Sequence, residues 1–187
     1  MNIRIVFLWL VAAALTACPR EEAPTDQPEN EYMLESLPQN DARREKINTF
    51  MQEGPGFVIG ESLSEIKKYH GEPIRQNIID RQNIHNPELT DQIYELYYEG
   101  LFLRVYHVSA TDKDIIILVE VTSDEYPVMW DLTVGTTKEK VVEAFGEPDE
   151  TNLDTIRYLA GEFVMGFVEF TFKDGLCSRV AWHYLID

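Results

Sequence analysis

Four histidines, two cysteines and an excess of carboxylates are the groups here with reactive chemistry, and their spacing decides what that chemistry is. His70, His85, His107 and His183 are scattered, and no His/Cys/Asp/Glu cluster stands at metal-ligand spacing. Asp112 and Asp114 flank Lys113, but the glycine and distal glutamate of a calcium loop do not follow, so a turn is expected there. No Gly-x-Ser-x-Gly elbow, phosphate-cradling loop or dinucleotide fingerprint occurs. Glu72-Pro73 and Glu147-Pro148 recur, yet each stands where a helix stops. The expectation is a non-enzyme with no metal, no cofactor, no catalytic residue and no small-molecule substrate.

Cys18 has a different chemistry. Arg4 supplies a positive start, residues 5–15 are apolar and uncharged, and the run closes in Leu15-Thr16-Ala17-Cys18. That run is too short for a bilayer span, which needs roughly 20 apolar residues. Small residues before a cysteine look like a bacterial lipobox, in which a signal peptidase cuts next to a sulfur that takes a diacylglycerol. Cys18 is therefore the expected lipidation site, and several acyl chains together hold a protein stably at a membrane. Pro19 and Arg20 follow, without the Asp associated with inner-membrane retention, so an outer-membrane location facing the periplasm is expected. With Cys18 lipidated, Cys177 has no disulfide partner, and it reads as a buried packing residue in a strand.

The chain of 187 residues is 44% hydrophobic and carries a formal net charge of −17. That charge argues against nucleic acid and against an anionic membrane surface as partners; the lipid would be the sole membrane contact. Part of the acidity belongs to Glu21, Glu22, Asp26, Glu29, Glu31 and Glu35, interspersed with Pro19, Pro24, Pro28 and Pro38. Such a stretch reads as a disordered tether.

Residues 60–73 read GESLSEIKKYHGEP and residues 135–148 read GTTKEKVVEAFGEP, an offset of 75 residues. The recurrence predicts two related units. In each, a hydroxyl (Ser62 or Ser64; Thr136 or Thr137) starts a helix carrying Leu63, Ile66 and Tyr69, or Val141, Val142 and Phe145. Gly71 or Gly146 then ends it, with Pro73 or Pro148 beyond. Asp41 is expected to cap an earlier helix reaching about Met51, with Ile47, Phe50 and Met51 as its apolar edge.

An antiparallel meander follows each repeated helix. Strands are expected at about 93–98, 101–108 and 115–122, and again at about 155–159, 163–172 and 177–185, with Lys173-Asp174-Gly175 a strong hairpin signal. Repeat one carries about 14 extra residues, read as an inserted surface loop at 76–92. Alternation puts Leu101, Leu103, Val105, Val164, Val168, Phe170, Phe172, Val180, Trp182 and Tyr184 toward the helices. It leaves Phe102, Arg104, Tyr106, Glu120, Phe163, Met165, Phe167, Glu169, Arg179 and His183 on the open face. An aromatic-rich open face with a few charges is the composition of a protein-binding surface, although rings packed between the repeats would give the same pattern.

The pattern Gly-x-[Ser/Thr]-x-x-x-[Val/Ile]-x-x-x-x-Gly-x-Pro ahead of a meander resembles the SmpA/OmlA-type lipoprotein domain, found in the small lipoprotein of the outer-membrane β-barrel assembly machinery. The resemblance rests on Gly135-Thr136-Thr137, Val141 and Phe145-Gly146-Glu147-Pro148, then Phe172-Lys173-Asp174-Gly175-Leu176 running to Trp182. Ile66 and Gly71-Glu72-Pro73 match in repeat one. Two units at this spacing are also similar to the tandem fold of the β-lactamase inhibitory protein. The resemblance implies an α+β tandem of helix-plus-meander repeats with helices on one face of a concave antiparallel sheet. The inhibitor's paired disulfides have no counterpart here, and the assembly subunit has one repeat, not two.

The expected organisation is a signal peptide at 1–17, a lipidated tether at 18–45, repeat one at 46–125 and repeat two at 126–187. The expected function is non-catalytic binding of another protein of the bacterial cell envelope, in outer-membrane assembly or maintenance. The alternative is an inhibitor or immunity-type protein that blocks a target enzyme with the insertion and the same face.

Overall fold

The computed structural model describes residues 38–83, 85–161 and 165–185. The expectations for the signal peptide, Cys18, tether residues 18–37, Phe163 and Val164 lie outside those residues, whereas 38–45, expected as disordered tether, are the first turns of a helix that begins at Pro38. Three helices and an eight-stranded open antiparallel sheet make an α+β fold.

Helix α1 (Pro38–Glu53) starts before the expected Asp41 cap, with proline in its first turn, where a missing N–H costs nothing. Ile47, Phe50 and Met51 are its buried stripe. Helix α2 (Leu63–His70) starts because the Ser62 hydroxyl accepts from the Glu65 amide, at 3.3 Å. Helix α3 (Lys138–Phe145) starts in the same way, Thr137 accepting from the Lys140 amide at 3.3 Å. Gly71 and Gly146 end the two at positive φ, each amide donating back into its helix, to Lys67 and Val142. The Arg43 guanidinium donates to the Phe145 carbonyl at 3.1 Å and pairs with Asp149 at 2.9 Å. A cation so placed completes the negative C-terminal end of α3 and ties α1 to it.

Strands β1 (Arg75–Gln82), β2 (Thr90–Tyr98), β3 (Leu101–Val108) and β4 (Lys113–Val121) follow α2. Strands β5 (Glu150–Asn152), β6 (Thr155–Leu159), β7 (Gly166–Lys173) and β8 (Leu176–Tyr184) follow α3. Their order across the sheet is β1-β2-β3-β4-β8-β7-β6-β5. The two meanders therefore join only where β4 pairs with β8, over Leu118–Val121. One core cluster links the three helices to a single face of this sheet. Phe50 lies parallel to Trp182 at 5.4 Å and edge-on to Phe145 at 5.1 Å, and Ile66 of α2 belongs to the same buried cluster as Leu96, Leu103, Val105 and Val119 of β2–β4. Each such side chain contributes about 1.5–3 kcal/mol on burial.

Two expectations need correction. Residues 76–92 are not an inserted loop: most of them form β1 and the start of β2, in register from Arg75↔Tyr97 to Gln82↔Thr90. The extra length lengthens a hairpin, where the corresponding β5–β6 hairpin pairs only from Glu150↔Arg157 to Asn152↔Thr155. Each meander thus has four strands, not three. β1 gives no alternation because every residue in it is exposed, and backbone pairing to β2 holds an edge strand without an apolar stripe. The strand expected at 163–172 is described from Gly166, and Met165 precedes it.

Candidate binding face

Alternation along each strand turns one set of side chains to the helices and the other outward. The outward set forms registered rows. One row runs Tyr97, Phe102, Glu120, Ala181, Glu169, Arg157 and Glu150 across β2, β3, β4, β8, β7, β6 and β5. The next runs Glu95, Arg104, Leu118, His183 and Phe167.

The first row is a ladder of alternating charge. Arg157 contacts Glu150 at 3.1 Å and Glu169 at 2.5 Å; Arg179 contacts Glu169 at 2.6 Å and Glu120 at 2.7 Å. Ala181 is the reason one arginine reaches both acids. It lies in register between Glu120 and Glu169 and is fully buried, so the guanidinium of Arg179, two residues along β8, spans it. Burial pushes the Glu169 carboxyl up, but hydrogen bonds from Arg157 and Arg179 outweigh that and hold it below its usual range. Because β4 and β8 belong to different meanders, the Arg179–Glu120 pair also spans their junction.

Rings flank the ladder. Phe167 and His183 stack at 4.3 Å and 15°, and Arg157 lies over Phe167 at 5.0 Å. Burial lowers the His183 pKa, so the imidazole is neutral near pH 7, and its Nε2 has no hydrogen-bond partner. On the other side Arg75 lies 3.7 Å over Tyr97, which packs on Phe102 at 4.7 Å. The hydrogen bond from Arg104, at 2.7 Å, does most to hold Glu95 below its usual range against burial, with Asn77 and Tyr97 also donating.

One carboxylate gathers the hydrogen bonds at the base of the β1–β2 turn. Asp91 is fully buried and accepts from the Tyr106 hydroxyl, the Ser109 amide at 2.9 Å and hydroxyl at 2.8 Å, and the Asn83 amide group at 2.8 Å. These hydrogen bonds, Tyr106 foremost, hold its pKa at about 2. Asn83 in turn accepts from the His85 and Asn86 amides, at 2.9 and 2.8 Å. Asp114, read from sequence as a turn residue, lies in β4 and accepts from the His107 ring and the Leu63 amide, both at 2.8 Å, which fixes the start of α2.

The structure places Phe102, Arg104, Tyr106, Glu120, Phe167, Arg179 and His183 on the outward face. It joins Arg179 to Glu120 and Phe167 to His183, whereas Arg104 pairs with Glu95 and Tyr106 with Asp91. Met165 lies beside the end of β8, half exposed, its carbonyl accepting from the Leu185 amide. The face is more charged than expected, and sequence reasoning missed Arg157 and Glu95. The signal for Arg157 was present: Thr155, Arg157 and Leu159 alternate with the buried Ile156 and Tyr158. Among the described residues no group of three or more His, Cys, Asp or Glu is placed to hold a metal, and no helix is long and apolar enough to cross a membrane. Comparison with protein-family models, with curated proteins and with solved structures finds no match.

Proposed function

We propose that this chain is a lipid-anchored protein of the bacterial outer membrane, facing the periplasm, that binds another envelope protein non-catalytically through the outward face of its sheet. The observation that carries this reading is the Glu150–Arg157–Glu169–Arg179–Glu120 ladder with its flanking rings. Charges already paired within their own sheet lose little freedom when a partner covers them, and fixed rings supply contact area at low entropic cost. The SmpA/OmlA-type resemblance and the lipobox supply the envelope context. We further read the α2–β1–β4 and α3–β5–β8 units as products of a duplication, supported by the offset Gly…Gly-Glu-Pro blocks and by the matching hydroxyl caps of α2 and α3.

A photocrosslinker placed at Phe102 or Phe167 in intact cells should capture one envelope protein. The same group at Lys68 or Glu143, on the helices, should not. Capture from all four positions, or from none, would refute the face. Membrane fractionation tests the tether: Cys18→Ala should release the protein, and retention would remove the lipid anchor from the proposal.

A second reading has one observation in its favour. The long β1–β2 hairpin has the ends of its turn tied together by the Asn83–Asp91 hydrogen bond, which suits a protein that plugs an enzyme cleft. Capture of a single hydrolase, lost on shortening the hairpin to the length of β5–β6, would select the inhibitor or immunity-type role.

A further inference from the structure

The third outward row differs from the other two. Ile79, Ile93, Tyr106 and Ile115 stand in direct register across β1, β2, β3 and β4, four apolar side chains in line on the face turned away from the core. A β-bulge adds to them. The register steps from Arg104↔Leu118 to Val105↔Ile116, so Ile117 is the extra residue, and it joins Ile115 in lining the outward side. β8 pairs with β4 only over Leu118–Val121, so β4 runs on past β8 here and the row ends in a hollow of about 610 Å³. Pockets of roughly 300–1,000 Å³ with apolar walls and a few polar groups are the usual form of small-ligand sites.

The rim carries two charged groups, Arg81 and the ionised Asp91. Arg81 borders the hollow, and no carboxylate among the described residues lies within ion-pair distance of it. The acid opposite it in register, Asp91, is occupied by four donors and offers Arg81 no partner. In a chain of net charge −17, an unpaired guanidinium beside an apolar floor stands out, and a guanidinium is suited to holding a carboxylate.

We propose that this hollow binds an aliphatic carboxylate, the chain lying along Ile93, Tyr106, Ile115 and Ile117 and the headgroup meeting Arg81. This goes beyond the protein-binding role and departs from the expectation that no small molecule is bound. The site differs from the charged ladder in position and chemistry, sharing with the proposed binding residues only Tyr106.

Calorimetric titration of the full chain carrying Cys18→Ala, which keeps it free of detergent, tests the idea with laurate as probe. Dodecyltrimethylammonium, the same tail under a cationic head, is the control. Laurate should bind one per chain, and the cation at least about tenfold more weakly. Arg81→Gln should cost laurate about tenfold, the value of one charge-assisted hydrogen bond, and leave the cation unchanged. Ile115→Glu, at a position 37% exposed, should abolish laurate binding without shifting thermal unfolding, and Phe167→Ser should have no effect. Laurate binding that survives Ile115→Glu would place the ligand elsewhere and overturn the proposal. Equal affinity for both heads would overturn the role of Arg81. Absence of laurate binding, with partner capture lost in Ile115→Glu, would assign the hollow to the protein interface instead.

Discussion

Removing the charge of Glu169 is the sharpest probe of the ladder. Its side chain is 8% exposed and accepts from Arg157 at 2.5 Å and from Arg179 at 2.6 Å. Arg179 is 27% exposed and would keep Glu120, so the loss on that side approaches one charge-assisted hydrogen bond, about 1.5–3 kcal/mol. Arg157 is 43% exposed and can return to water, so its side is discounted to the value of a surface pair, at most about 1 kcal/mol. Glu169→Gln should therefore cost about 1.5–4 kcal/mol, or roughly 3–16 °C of thermal midpoint for a domain of this size. The assay is urea unfolding followed by tryptophan fluorescence, with Arg179→Met completing a double-mutant cycle. The pH dependence gives a second handle. The folded pKa of Glu169 lies below its unfolded value of 4.5, so the increment is fully present above 4.5 and fades as pH falls further. Wild type and Glu169→Gln should accordingly converge in acid. A loss under about 0.5 kcal/mol at pH 7, or a gap that does not narrow in acid, would show that the ladder is solvated decoration.

The remaining tests are local. Asp91 has a folded pKa of about 2 against 3.8 unfolded, so its contribution holds above about 4 and is lost as pH falls toward 2; amide exchange at Ser109 should rise over that window while core amides stay protected. Gly60→Ala should destabilise more than Gly135→Ala: both sit at positive φ, costing about 1–3 kcal/mol, but only at Gly60 would a Cβ meet backbone, the Ile66 nitrogen at 2.7 Å. Equal losses in urea melts would contradict this. Burial pushes the Cys177 thiol up to about 11, so thiol reagents should label it only at the rate of unfolding, and fast labelling at pH 8 would show the β8 core to be open.

What could be read from the chain was what packs. β3 and β6 fall at the residues alternation indicates, because Leu101, Leu103 and Val105, and Ile156 and Tyr158, must face the core. The caps of α2 and α3 were legible because few residue types satisfy orphan amides at one end of a helix and take positive φ at the other. β1 was not legible: its exposed isoleucines follow one another, and its partner is a backbone rather than a core. Phe102, Arg104, Tyr106, Glu120, Phe167, Glu169, Arg179 and His183 lie on the face that alternation assigns them, but their pairing was not foreseen. Which acid Arg179 reaches depends on register between β4 and β8, set by residues far apart in the chain, and on the smallness of Ala181. The Ile117 bulge leaves no trace in the sequence, since Ile115-Ile116-Ile117-Leu118 reads as one apolar run.

The sheet order also constrains the sequence of events as the chain emerges. β4 is in the middle of the finished sheet, but its neighbour on one side is β8, so Val121 waits for Val180. Throughout synthesis of the intervening α3 and β5–β7, the first meander presents β4 as an open hydrogen-bonding edge, with Val119 and Val121 beside it. Closure is a late, long-range step, of the kind that slows folding and leaves strands available to the wrong neighbour. In a protein assembled in this order the exposure of β4 to misassembly ends only when β8 fills the gap.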